Sequence, residues 1–171
     1  MKLIGGLMIF IGCTAIGLRL SSRLSARQKA LIALMEAMLQ MKSSVCGLGM
    51  PLAAAFQELS RQSGFILWAN VFGTCGRLMS LEFLDGGQAW RRALHENRDE
   101  LPFGTGDLNH LESLGELFGK SDREGQAAVF AMVGEKLSVM EKQAREVHET
   151  TGKLYRNLGA LGGAAMVLLL I

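Results

Sequence analysis

Proline is nearly absent from this chain. Two prolines and one tyrosine in 171 residues are too few for a turn-rich β protein built from short aromatic and β-branched runs. Cysteine is scarce as well. Cys13, Cys46 and Cys75 are odd in number and have no metal-like spacing, so a disulfide framework is not expected and a reducing compartment fits better. An excess of one charge sign is also missing. The 18 Lys and Arg against 16 Asp and Glu leave a formal charge of +2, which gives nucleic acid no broad attraction. The three histidines, His95, His110 and His148, stand apart. With no H-x-x-x-H and no C-x-x-C, neither a metal nor a cofactor is expected. The "GTGD" run at 104–107 lacks the Lys and Ser/Thr of a phosphate loop and reads as a turn and cap.

Charge is also missing from the two ends, and there the chain is rich in apolar residues. Hydrophobic residues make up 49% of the sequence, and the mean hydropathy is +0.24. Leu3 to Leu18 carries no charge, nor does Asn157 to Ile171, which closes "MVLLLI". As helices both are short. The first would span about 24 Å at 1.5 Å per residue, against roughly 30 Å of bilayer core. The first run has Lys2 alone as an n-region, and no A-x-A site of a cleaved signal peptide follows it. A terminal apolar run with nothing after it is hard to bury in a small domain. We therefore expect an N-terminal transmembrane anchor over 1–20 and a C-terminal one over 157–171. Arg19, Arg23, Arg27 and Lys29 follow the first, and Arg145, Lys153 and Arg156 precede the second. By the positive-inside rule the 21–156 domain is cytoplasmic.

The middle reads as all helix. Leu20, Leu24, Leu31, Leu34, Met38, Met41 and Val45 form one apolar stripe at three- and four-residue steps, ending at "CGLGMP". Pro51 suits the first turn of a second helix, carried by Leu52, Ala55, Phe56 and Leu59 and ended by Gly64. Phe65 to Met79 is a third. "LDGGQ" at 84–88 reads as a turn, and Ala89, Trp90, Ala93 and Leu94 carry a fourth helix. Thr105 or Asp107 would cap a fifth, marked by Leu108, Leu111, Leu114 and Phe118. The sixth shows Val129, Val133, Leu137, Met140, Ala144, Val147, Thr151, Leu154 and Leu158, and runs on into the final apolar segment. The methionines fall mostly on these stripes as soft core, with a partner groove marked by Met35, Met38, Met41 and Met50 as the alternative.

The most chemically crowded stretch is "GKSDREGQ" at 119–126. Ser121 followed three residues later by Glu124 is a capping box. Asp122 adds favourable charge at the start of a helix, and Gly119 lets the preceding helix end. These residues make a corner rather than a catalytic site. Arg123 and Gln126 have no structural task there, so Asp122, Arg123 and Gln126 are candidate partner-binding residues. In the closing apolar run, Gly159 and Gly163 lie four apart, a small-xxx-small face for packing against another membrane helix.

Several stretches together carry a family resemblance: a short anchor followed by arginines, Ala89–Trp90 after a Gly-rich run, "LGELFGKSDREGQ" with Gly119, Asp122 and Gln126, and the closing "KLYRNLGALGGAAMVLLLI". Over its whole length the chain resembles the stage III sporulation protein AB family of endospore-forming bacteria. That family is similar to the cytoplasmic helical domain of type II secretion platform proteins, the F component. The resemblance implies an all-α, six-helix cytoplasmic bundle flanked by transmembrane helices. It also implies a non-enzymatic platform of a secretion-like channel between mother cell and forespore. Such a platform would sit in the outer forespore membrane, with its domain in the mother-cell cytoplasm. Its partners would be the secretion-type ATPase, stage III sporulation protein AA, and other stage III channel components, and a homo-oligomer is compatible with this. The alternatives are a platform of an ordinary secretion or pilus system, and a small membrane-anchored enzyme using Asp122, Glu124 and a histidine.

Overall fold

The computed structural model describes residues 2–118 and 123–170, with side-chain surroundings for 14–118, 125–155 and scattered positions beyond. It is all-helical, with six α-helices and no strand among the described residues. They are α1 (Lys2–Lys42), α2 (Leu52–Ser60), α3 (Ala69–Leu81), α4 (Gly86–Asn97), α5 (Thr105–Phe118) and α6 (Arg123–Leu170). The chain divides into two compact units. One is Ala30–Met140, and the other combines Met1–Lys29 with Glu141–Ile171.

In the Ala30–Met140 unit, α2 packs on α3, α3 on α4 and α4 on α5. The apolar stripe of α1 is buried here at Leu31, Leu34, Met38 and Met41 and continues to Val45 in the turn after it, and that of α6 is buried at Val133, Leu137 and Met140. Between them lies a run of aromatic rings. Trp68 stacks against Trp90 with ring centroids 6.3 Å apart, and Phe72, Phe56, Phe118 and Phe130 extend the contacts. Both tryptophans are fully buried, and each finds an acceptor for its N–H. Trp68 Nε1 donates to the Ala30 carbonyl of α1 at 2.9 Å, and Trp90 Nε1 donates to the Leu111 carbonyl of α5 at 2.7 Å. An indole buried without an acceptor would forfeit a hydrogen bond to water, so these two bonds fix where the rings can sit.

The double glycine at 86–87 does not form the expected turn. Gly86 and Gly87 are the first residues of α4, whose N-cap is Asp85, its side chain accepting from Gln88 N at 2.8 Å. The glycines serve packing. A Cβ on Gly87 would run into the Gly115 carbonyl of α5, and a Cβ on Gly115 would lie 2.9 Å from the Gly87 carbonyl and 3.0 Å from Trp90 Cδ1. The two backbones meet where neither helix can carry a side chain.

Other boundaries shift by a residue or more. α1 ends in a π-helical turn at Ser43–Gly47. Pro51 is the extended N-cap of α2, one position before the helix, because ψ of 139° is not helical. The third helix is split. Ser63–Trp68 is 3₁₀ with a non-helical Phe65, and α3 proper starts at Ala69 and runs to Leu81. α5 starts at Thr105 itself, so Thr105 and Asp107 lie inside the helix rather than capping it, and the Gly104 carbonyl accepts from Leu108 N at 3.0 Å.

In the other unit, the beginning of α1 and the end of α6 run antiparallel. Gln28 Nε2 donates to Glu141 Oε1 at 2.9 Å. Further along, a Cβ on Gly152 would meet Ser21 Oγ at 3.3 Å, and both residues are buried. Beyond this contact the apolar stripes come to the surface. Leu20, Leu18, Ile16, Ile11 and Met8 are exposed on α1, and Leu154, Leu158 and Leu161 on α6. Among the described residues no helix is long and apolar enough to cross a membrane.

Two outcomes follow from this packing. Gly87→Ala should destabilise the protein by about 1–3 kcal/mol through overpacking. Gly106→Ala, with nothing within 4 Å of its Cβ, should stay within about half a kcal/mol. Thermal melts of the two variants side by side check this. Cys75 is fully buried, its thiol 3.7 Å from the Ala89 carbonyl, and burial pushes its pKa far up. With Cys13 and Cys46 replaced by serine, the protein should therefore not react with a thiol reagent at pH 8 until it is unfolded.

Candidate docking surfaces

The corner singled out in the sequence joins α5 to α6. Gly119, Lys120, Ser121 and Asp122 lie outside the described residues, so the capping box and the Asp122 position are not part of the described geometry. Arg123 and Glu124 open α6, but their side chains are likewise outside it. Gln126 is half-buried one turn along. Aromatic packing flanks the corner. Phe118, the last residue of α5, lies 5.7 Å from Trp90, 6.3 Å from Phe56 and 6.0 Å from Phe130 of α6, ring centre to ring centre. A Cβ on Gly86 would come within 3.0 Å of the Phe118 carbonyl. The end of α5 is therefore held against α2, α4 and α6, and the corner starts from a fixed base.

A second surface was not read from the sequence. Between α3 and α4, Phe83 adopts φ 55°, the one non-glycine residue with positive φ among those described. Phe83 is 88% exposed, and Leu81, two residues earlier, is 71% exposed. Left-handed backbone is costly for a bulky residue, and an exposed ring gains nothing from burial. The turn is closed by Glu82 N and Leu84 N, which both donate to the Leu78 carbonyl, at 3.0 and 3.4 Å. Below it, Arg92 pairs with Glu82 at 2.7 Å and Glu96 at 3.0 Å, and Arg77 lies 3.7 Å from each. Bonding to Glu96 and attraction to Glu82 raise the Arg92 pKa further above its ordinary value. Such exposed pairs stabilise little, but they fix the base of the projecting Phe83. The only sequence signal was a phenylalanine beside Asp85 and two glycines, where a core residue is the default.

A third surface is a groove in the Ala30–Met140 unit, where Met35, Glu36, Met38, Leu39 and Lys42 of α1 face Phe130, Ala131 and Gly134 of α6. It encloses about 370 Å³. Two of the four methionines marked as a possible partner groove, Met35 and Met38, do line it, although Met38 is itself buried.

The polar chemistry is dispersed. His95 and His110 are exposed, and His148 is half-buried in the terminal unit. His148 Nδ1 and Thr14 Oγ1 are buried there without a hydrogen-bond partner. Among the described residues no group of three or more His, Cys, Asp and Glu could hold a metal ion. Gly159 and Gly163 lie within α6, and their surroundings are outside the described residues. What the described geometry offers is contact surface: a projecting aromatic and an apolar groove, with a closely packed end of α5 leading up to the corner.

The comparisons with known proteins agree with this fold. A solved structure of a stage III sporulation protein AB superposes on the chain with a TM-score of 0.63 at 19% sequence identity, covering 72% of this chain and 97% of that one. No curated protein matches the chain. The family description "Stage III sporulation protein AB (spore_III_AB)" fits residues 2–171, and on that whole-length match the chain belongs to the stage III sporulation protein AB family.

Proposed function

We propose that this protein is a non-enzymatic membrane platform of a sporulation-specific, secretion-like channel. Its two apolar ends seat it in the outer forespore membrane, and its helical domain stands in the mother-cell cytoplasm. There it receives a secretion-type ATPase, stage III sporulation protein AA, together with other stage III channel components. The role is that of the F-type platform proteins whose helical domain the sequence resembles. The observation that carries the reading is the change of exposure along α1 and α6. Their apolar stripes are buried at Leu31, Leu34, Val133 and Leu137 but exposed at Ile11, Ile16, Leu158 and Leu161. Water disfavours such contiguous apolar exposure, and a lipid phase removes the cost. Because the two helices run antiparallel through Ser21 and Gly152, both apolar ends enter the same phase side by side. Each end alone is short for a bilayer, and the pair shares the cost of any mismatch in thickness.

The ATPase would dock at the corner that carries Asp122, Arg123 and Gln126 in sequence, immediately after Phe118, whose ring packs on Phe130. A secretion ATPase acts in the cytoplasm, so the corner must face that side.

Two experiments test the reading. Single cysteines placed at Ser121 and Ile171 in a cysteine-free full chain should respond differently to a membrane-impermeant reagent. Ile171→Cys should label from outside the mother-cell cytoplasm, and Ser121→Cys should not. Labelling of the corner from outside would exclude an ATPase partner. Second, Arg123→Glu should leave the melting temperature nearly unchanged, within about half a kcal/mol as for an ordinary surface site. It should lose co-purification of the ATPase and block sporulation after engulfment. Normal sporulation by this variant would move the docking surface elsewhere.

A further inference from the structure

The charges of this chain are sorted between its two compact units. The unit formed by Met1–Lys29 and Glu141–Ile171 carries nine Lys and Arg against three Asp and Glu, a net +6. Ala30–Met140 carries nine against thirteen, a net −4. On α1 no carboxylate precedes Glu36. Arg19 and Arg23 are both exposed and lie four apart, which puts them on one face of the helix. Like charges at this spacing repel and weaken the helix that carries them. Lys153 of α6 is exposed as well, and the contact of Gly152 with Ser21 sets its height. Because the helices run antiparallel, Arg19 lies two residues and Lys153 one residue beyond that contact in the same direction. At about 1.5 Å per residue the two cations stand at nearly one level, with Arg23 about 6 Å from Arg19 along the axis. The acids of this stretch of α6, Glu146 and Glu149, are exposed too. Neither they nor any other described carboxylate pairs with Arg19, Arg23 or Lys153.

Bare apolar side chains interleave with these cations. Leu18 is 52% and Leu20 40% exposed on either side of Arg19, and Leu154, next to Lys153, is 54% exposed. The surface therefore asks for anions and an apolar phase at the same level. Water and small anions meet the first demand only. Nucleic acid brings phosphates but nothing for the leucines, and Tyr155, the ring nearest Lys153 in sequence, is half-buried rather than open for a base to stack on. A lipid interface supplies both, since phosphates and acyl chains adjoin there and long cationic side chains reach from one to the other. We infer that Arg19, Arg23 and Lys153 form a collar that binds the phosphates of anionic phospholipid headgroups, in the leaflet where the apolar ends enter the membrane. Arginine meets a phosphate with a fork of N–H donors and lysine with a point charge. Bound phosphates also relieve the repulsion between Arg19 and Arg23.

This inference rests on the platform reading for the membrane itself and adds the chemistry of its lipid. The experiment is flotation of the full chain, diluted from detergent onto vesicles at about 0.1 M salt. One set of vesicles is phosphatidylcholine alone, and the other is an equal mixture of phosphatidylcholine and phosphatidylglycerol. The wild type should float with both and partition about a hundredfold more strongly into the mixed vesicles. Arg19→Gln, Arg23→Gln and Lys153→Gln should each lower partition into the mixed vesicles about fivefold and leave partition into phosphatidylcholine unchanged. Lys136→Gln, which removes an exposed cation of the other unit, should change neither. Arg19→Lys with Arg23→Lys keeps the charges and should keep the preference. Equal partition into the two kinds of vesicle would overturn the inference and leave the platform reading intact, whereas flotation with neither would overturn both. An anionic preference that survives loss of all three cations would also overturn it. So would release of the chain from mixed vesicles by a short DNA duplex, which would make the collar a nucleic-acid surface.

Discussion

The Ala30–Met140 unit depends on one backbone contact. Gly87 of α4 and Gly115 of α5 meet with no room for a Cβ on either, and this sets the separation of the two helices. At that separation Trp90, one turn after Gly87, reaches the Leu111 carbonyl with its indole N–H while its ring covers Gly115. Its other face stacks toward Trp68, whose N–H is bound to Ala30 of α1. Phe118 closes the same cluster from the end of α5 and hands it on to Phe130 of α6. A wider crossing of α4 and α5 would lengthen the Trp90 bond, displace the stacked rings and release the ends of α5 and α6 together. Packing at this density turns a small local change into a shift of neighbouring elements.

The long stripes were legible in the sequence because they repeat. Leu31, Leu34, Met38 and Met41, and later Val133, Leu137, Met140 and Ala144, give a helical period that no strand would show, and all are buried. The number of helices and the core positions Phe56, Ala89, Trp90, Leu111 and Leu114 followed from the same reasoning. The failures share a cause. A pair of glycines is locally a turn signal, and only a neighbouring helix at contact distance makes it a packing device. Thr105 looks like a cap, yet the helix simply begins with it. Phe83 had no periodicity to betray it, since an exposed aromatic in a left-handed turn obeys neither core patterning nor turn preference. At the candidate site, the chemical residues of the corner were visible in sequence, but the aromatic base under Phe118 was not, because it is assembled from four helices. The groove was half legible through Met35 and Met38. Its α6 wall of Phe130, Ala131 and Gly134 lies nearly a hundred residues away in the chain.

Two described surfaces with different physics share this helical scaffold. The α3–α4 tip spends backbone strain to hold an apolar ring in solvent. The groove is apolar with one charge of each sign at its edge.

The antiparallel start of α1 and end of α6 have a mechanical consequence. Gln28 with Glu141, and Ser21 with Gly152, lie like successive teeth of a zip, the second pair nearer the chain termini. A load that spreads the two helices from the side of the termini reaches the Ser21–Gly152 contact before the Gln28–Glu141 bond. In this peeling geometry contacts fail in sequence, each at low force, whereas a load along the helices would meet all of them at once. Anything that spreads the two ends apart would therefore open this pair gradually from its termini inward.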